Sequence, residues 1–142
     1  MLVSSILATK SKNLISVSSN TPVSDVTQIL HENTIGAVLV MEGSKLLGVL
    51  SERGIVRAMA LNPSGVRAMR ADHAMRPTQY RVSADASLED AMQIMTDHRV
   101  RYLPVFEGDK LVGLISIGDV VKAELNIRLH EVNSLTNYIS GV

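Results

Sequence analysis

The 142 residues contain no cysteine and no tryptophan, and their aromatic side chains are one phenylalanine and three tyrosines. Without a thiol the chain can form no disulfide, offer no thiolate nucleophile and bind no metal through sulfur; this fits a cytoplasmic protein. With so few rings, the interior must come from Val, Ile, Leu, Met and Ala, which suits helices packed on strands. An excess of one charge is also missing, since 14 Lys and Arg balance 14 Asp and Glu. No overall field therefore draws the chain to nucleic acid or to an acidic membrane, despite the local basic stretch of Arg67, Arg70, Arg76 and Arg81. No apolar run approaches the roughly 18 residues of a membrane span, and no basic region followed by an apolar stretch opens the sequence. A soluble, unprocessed protein is expected. The histidines, His31, His73, His98 and His130, are too scattered for a metal cluster. Ser51 and Ser116 lack the elbow motif or the His and Asp partners of a nucleophile, so no enzyme activity is expected.

What is present is a repeat. Displacing the sequence by 65 residues lays Val17–Ala58 on Val82–Ala123 without a gap. Asp25, Gln28 and Ile29 fall on Asp90, Gln93 and Ile94, and the segment Val40 to Gly48 falls on Val105 to Gly113. Each copy opens with a short extended piece (Leu14 to Val17, Tyr80 to Val82). An amphipathic helix follows, carrying Val23, Val26, Ile29 and Leu30 in one copy and Leu88, Ala91, Met92, Ile94 and Met95 in the other. Thr21 followed by Pro22, and Ser87 followed by Asp90, mark the helix starts. Two apolar runs around a Glu-Gly-Ser/Asp-Lys turn predict hairpins, Ala37 to Met41 with Leu46 to Leu50 and Tyr102 to Phe106 with Leu111 to Ile115. A second helix starts near Ser51 and near Ser116. The unit reads β-α-β-β-α. Neither copy alone buries enough surface to be stable, so the two are expected to form one module. The repeats are assigned to 1–65, with an N-terminal leader, and 66–142, with a C-terminal helical extension carrying Leu125, Leu129, Val132 and Leu135. Asn62 to His73 reads as the connecting loop.

Gly48-Val-Leu-Ser51 and Gly113-Leu-Ile-Ser116-Ile-Gly-Asp119 resemble the Gly-apolar-x-Ser/Thr-x-x-Asp signature of CBS (cystathionine-β-synthase) domains. Ile35-Gly-Ala37 and Arg101-Tyr-Leu-Pro-Val105 are also similar to that family, and the likeness covers nearly the whole chain. It is nearest to small bacterial proteins made of two CBS domains alone. The resemblance implies an α/β (α+β) fold in which two repeats, related by pseudo-two-fold symmetry, form one CBS pair or Bateman module. It also implies a regulatory, non-catalytic function: an adenine nucleotide (AMP first, then ADP, ATP or an NAD-like adenosyl compound) in the cleft between the repeats. No other cofactor is required. The output would be a homodimer formed through the helices or altered affinity for an unidentified protein target. The alternative is a homodimeric interaction scaffold that needs no ligand.

By spacing alone, Ser116 with Asp119 is also an ordinary capping box. The functional reading adds that a helix N-terminus favours a phosphate and that a carboxylate beside it can accept from ribose hydroxyls. Carried over by resemblance, the site uses Ser116 and Asp119 for ribose and phosphate, Gly118 for close approach, and Leu114 and Ile115 to line the base. Asn13, Leu14 and Ile15 with Ile35, Gly36 and Ala37 complete it, and Lys10 and Arg101 are the phosphate partners. A weaker second site is expected from Tyr80, Val100, Tyr102, Ser51, Arg53 and Gly54, because Gly54 stands where the family usually has Asp.

Overall fold

A computed structural model describes residues 1–10 and 14–140. In chain order its elements are α1 (Val3–Ala8), β1 (Ser16–Ser18), α2 (Val23–Asn33), β2 (Ala37–Glu42), β3 (Lys45–Ser51), α3 (Glu52–Leu61), a 3₁₀ turn (Val66–Ala68), α4 (Ala71–Ala74), β4 (Arg76–Pro77), β5 (Val82–Ser83), α5 (Leu88–His98), β6 (Tyr102–Glu107), β7 (Lys110–Ser116) and α6 (Ile117–Ile139). The chain divides into two compact units, Asn13–Gln79 and Met1–Lys12 with Tyr80–Val142. These differ from the division of the sequence at residue 65. The N-terminal segment packs with the second repeat, and the segment after residue 65 packs with the first.

In the first unit the sheet order is β1-β2-β3-β4, with β1 parallel to β2 and the other pairs antiparallel. The helix α2 spans the parallel crossover and buries Val23, Val26 and Leu30 against Val38, Val40 and Leu50. Its start departs from expectation. Pro22, not Thr21, is the N-cap, and the Thr21 hydroxyl lies against Ser18 Oγ instead. The first helical N–H donates to the Met69 carbonyl at 2.9 Å. The expected connecting loop is thus structured: Val66, Ala71 and Ala74 are in the core, and Ala71 N–H and Asp72 N–H donate to the carbonyls of Thr21 and Ser19.

The second unit repeats this plan with the order β5-β6-β7 and the core of Val82, Leu88, Ala91, Met95, Leu103, Val105, Ile115 and Val120. Ser87 and Asp90 form the expected capping box on α5. Here α1 takes the place of α4. Val3 N–H donates to Ala86, Ser4 N–H to Ala84, and Leu88 N–H to Met1. These are the bonds of the first unit transposed, so residues 1–8 are the counterparts of 69–76. Leu7 packs over Gly113 as Met75 packs over Gly48, and neither glycine has room for a Cβ. The pairing β5–β6 is shorter than β1–β2. Leu39 N–H extends the first ladder to Ile15, whereas Pro104, at the same position, has no N–H to give.

Both hairpins turn on a glycine with positive φ, Gly43 at 61° and Gly108 at 59°. Both slip register at the same place, between Val40 and Met41 and between Val105 and Phe106. The helices α2 and α5 both end on a non-glycine residue in the left-handed region, Thr34 and Arg99, each at φ 52°. The final helix, α6, runs unbroken for 23 residues and buries only Val120 and Ala123.

Candidate functional site

The corner where β7 passes into α6 carries the Ser116–Asp119 motif. Ser116 is extended at φ −104° and ψ 164°, which aims its side chain across the first turn. Its Oγ accepts from Asp119 N–H at 3.1 Å, and Asp119 Oδ2 accepts from Ser116 N–H at 2.8 Å. The capping-box geometry is therefore real. Lys10, just past the end of α1, adds a third bond: its Nζ donates to Asp119 Oδ2 at 2.6 Å and to the Leu114 carbonyl at 2.8 Å. The two side chains are 35% and 25% exposed. Burial disfavours a charged Asp119, but the hydrogen bond from Lys10, the Ser116 N–H and the Lys10 charge outweigh it. They hold the carboxyl below the usual aspartate range.

The hydrogen bonds from Lys10 Nζ and Ser116 N–H both fall on Oδ2 of this carboxylate. Among the described residues a Cβ on Gly118 would meet only Ser116 Oγ, at 3.6 Å. Leu114 is half-buried and lies on the same strand face as Ser116. Ile115 does not line the surface, because strand alternation turns its side chain wholly into the core. Only its backbone can face a ligand. Arg101 is exposed, and its carbonyl accepts from Ile117 N–H at 2.8 Å. Gly36 does the same for Glu52 N–H in the first unit, at 3.0 Å. There Ile15 and Ile35 are half-buried, Ala37 is buried and Leu14 is exposed. Asn13 lies outside the described residues.

The equivalent corner of the first unit, Ser51 to Gly54, has half a box: Ser51 Oγ accepts from Gly54 N–H at 3.3 Å. A Cβ at Gly54 would come within 3.1 Å of both the Ala74 carbonyl oxygen and Leu50 Cδ1. The glycine is what lets α4 close on α3. Arg53 is exposed. Of the residues expected beside this second site, Val100 is buried in the core of its own unit, while Tyr80 stacks on His98 with ring centres 3.8 Å apart. Tyr102 is half-buried at the start of β6. Lys10 was expected at this site as a phosphate partner, but its ion pair with Asp119, 109 positions away, carried no sequence signal.

Two β-α-β-β-α repeats, each ending in a serine-capped helix, define a CBS-pair architecture. The CBS domain family model matches residues 3–61 and 71–126, and the chain belongs to that family. It is 28% identical over 98% of its length to the CBS domain-containing protein YhcV of Bacillus subtilis, of which it covers 91%. It is 29% identical over 82% of its length to the mitochondrial CBS domain-containing protein CBSX3 of Arabidopsis thaliana, and spans 59% of that protein. A crystallised protein with CBS domains from Burkholderia ambifaria superimposes with a TM-score of 0.83 at 36% identity, covering 89% of this chain and 95% of the other. CBSX2, solved in complex with AMP, superimposes with a TM-score of 0.73 at 28% identity, covering 89% and 98%. No helix among the described residues is long and apolar enough to cross a membrane.

Proposed function

We propose that this chain is a regulatory module that binds an adenine nucleotide, AMP first among the candidates, at the Ser116–Asp119 corner, and that it does no chemistry on it. The observation that carries the reading is the Asp119 carboxylate, ionised and fixed at the start of α6 by Ser116 N–H and Lys10, both on Oδ2; Oδ1 is proposed to take a ribose hydroxyl. The amides of the first helical turn favour the phosphate. The AMP-bound relative supports the ligand class. We extend the proposal to base contacts from Leu114 and the Ile115 backbone, with Arg101 beside the phosphate. The Gly54 corner is proposed to be empty, since position 54 has no carboxylate and a Cβ there would stand 3.1 Å from the Ala74 carbonyl oxygen and Leu50 Cδ1.

A second reading keeps a specific observation of its own: the Asp119 carboxylate is fully explained as a helix cap and an ion-pair partner, and α6 presents an unburied apolar face. On that reading the chain is a ligand-independent dimerisation scaffold. Calorimetric titration with AMP, ADP, ATP and NAD separates the two. The nucleotide reading expects binding by the wild type and at least tenfold weaker binding by Asp119→Ala, the equivalent of about one charge-assisted hydrogen bond. No heat with any of the four leaves the scaffold.

A further inference from the structure

We infer that Lys10 sets the ligand specificity of the Asp119 site, occupying the carboxylate so that an adenosyl ligand gains full access only by bringing a phosphate for the ammonium. The inference rests on the nucleotide reading above. The Lys10 ammonium and the Ser116 N–H both donate to Asp119 Oδ2, at 2.6 and 2.8 Å, and an ionised carboxylate oxygen offers two lone-pair sites. A ribose that places one hydroxyl on each carboxylate oxygen must therefore displace Lys10 from Oδ2. The same ammonium is bonded to the Leu114 carbonyl, on the half-buried strand face beside the motif, so an arriving base and sugar crowd it from that side as well.

The cost of displacement depends on the ligand. Nucleosides without phosphate leave a partly buried ammonium without a counter-charge. A nucleotide supplies doubly negative oxygens within reach of a flexible four-carbon stem, and the ion pair is exchanged for another instead of lost. The first unit provides an internal comparison. Counted on by the same offset from Met1 and Met69, Lys10 falls at Thr78, although the bonds differ there, Lys10 N–H donating to Leu7 and Thr78 N–H to Leu47; in the alignment of the repeats Asp119 falls at Gly54. Both members of the pair are absent there together.

The test is calorimetry of the full chain with AMP and with adenosine, for the wild type, Lys10→Met and Lys10→Arg. The wild type is expected to prefer AMP. In Lys10→Met the preference falls at least about tenfold, with adenosine binding tighter than in the wild type, while Lys10→Arg keeps it. Binding of both ligands with an unchanged ratio in Lys10→Met overturns the inference and leaves the nucleotide reading intact. Absence of binding of either ligand to the wild type overturns both. A measurement on the wild type alone covers the case in which Lys10→Met does not fold: raising salt weakens the Lys10–Asp119 pair, so adenosine affinity rises while AMP affinity falls. A change of the same sign for both ligands refutes the lock.

Discussion

Asp119 is ionised in spite of its burial because Lys10 and the Ser116 amide reach it, and this links the fold to acidity. A carboxyl held below its unfolded value binds its proton more weakly in the folded state. Its stabilisation is therefore complete above the ordinary aspartate range and is lost as pH falls through that range to the lowered value. The urea midpoint is expected to drop on acidification, and Asp119→Asn to flatten that part of the profile. An unaltered slope in Asp119→Asn would show that the pair contributes nothing. Gly54 is the opposite case. Restoring the family's aspartate there puts a side chain against the Ala74 carbonyl and Leu50, so Gly54→Asp is expected to cost about 1–3 kcal/mol and to create no second nucleotide site. Calorimetry showing a second AMP equivalent in Gly54→Asp would count against this packing.

At the level of elements, the two copies share even their strain. Thr34 is a β-branched residue in the left-handed region at the end of α2, with Ile35 N–H donating to Leu30 as such a helix end requires. Thr34→Gly is expected to raise stability by about 1 kcal/mol, read as a higher denaturation midpoint, because glycine adopts this conformation without the Cβ clash. The helices α2, α5, α3 and α6 and both hairpins were legible because each carries its own period and its own turn or cap. Ser87 and Asp90 lie in one turn of one helix, and Gly43 and Gly108 lie in one hairpin each. The elements that could not be read are short and take their order from remote partners. Val3 and Ile6 make too brief a pattern to announce α1, and Ala71 and Ala74 none at all. Both helices form because carbonyls of Thr21 and Ala86 stand ready for their first amides. Thr21 looked like a cap, but Met69 supplied the acceptor. The candidate site divides in the same way: the Ser116–Asp119 corner was legible as a local motif, whereas the burial of Ile115 and the grip of Lys10 depend on tertiary packing.

Among the described residues, the outer face of α6 carries a run of exposed large apolar side chains. Leu125, Leu129, Val132 and Leu135 are each more than half exposed, and all but the first lie past residue 126, where the family match ends. Val121, Leu125, Val132, Leu135 and Ile139 follow the alternating four- and three-residue spacing of a coiled-coil seam, with Arg128 filling the one gap. Arg128 is bonded to Glu124 at 3.0 Å, so the charge on the seam is already balanced within its own helix. On the scaffold reading proposed above, the expected occupant of this seam is a second copy of it across a two-fold axis. Each leucine buried on pairing is worth about 1.5–3 kcal/mol, and a buried carboxylate reverses that gain. Leu125→Glu combined with Leu135→Glu is therefore expected to raise the dimer dissociation constant by at least about 100-fold, with the circular dichroism of the sheets and helices kept. Sedimentation at micromolar concentration reads the change directly. A wild type that sediments as a monomer there, or a double variant that stays dimeric, would place the contact elsewhere or remove it. AMP titration of a monomeric double variant then tells whether ligand capture at Asp119 needs the second copy, since the cap, the carboxylate and Lys10 all belong to one chain.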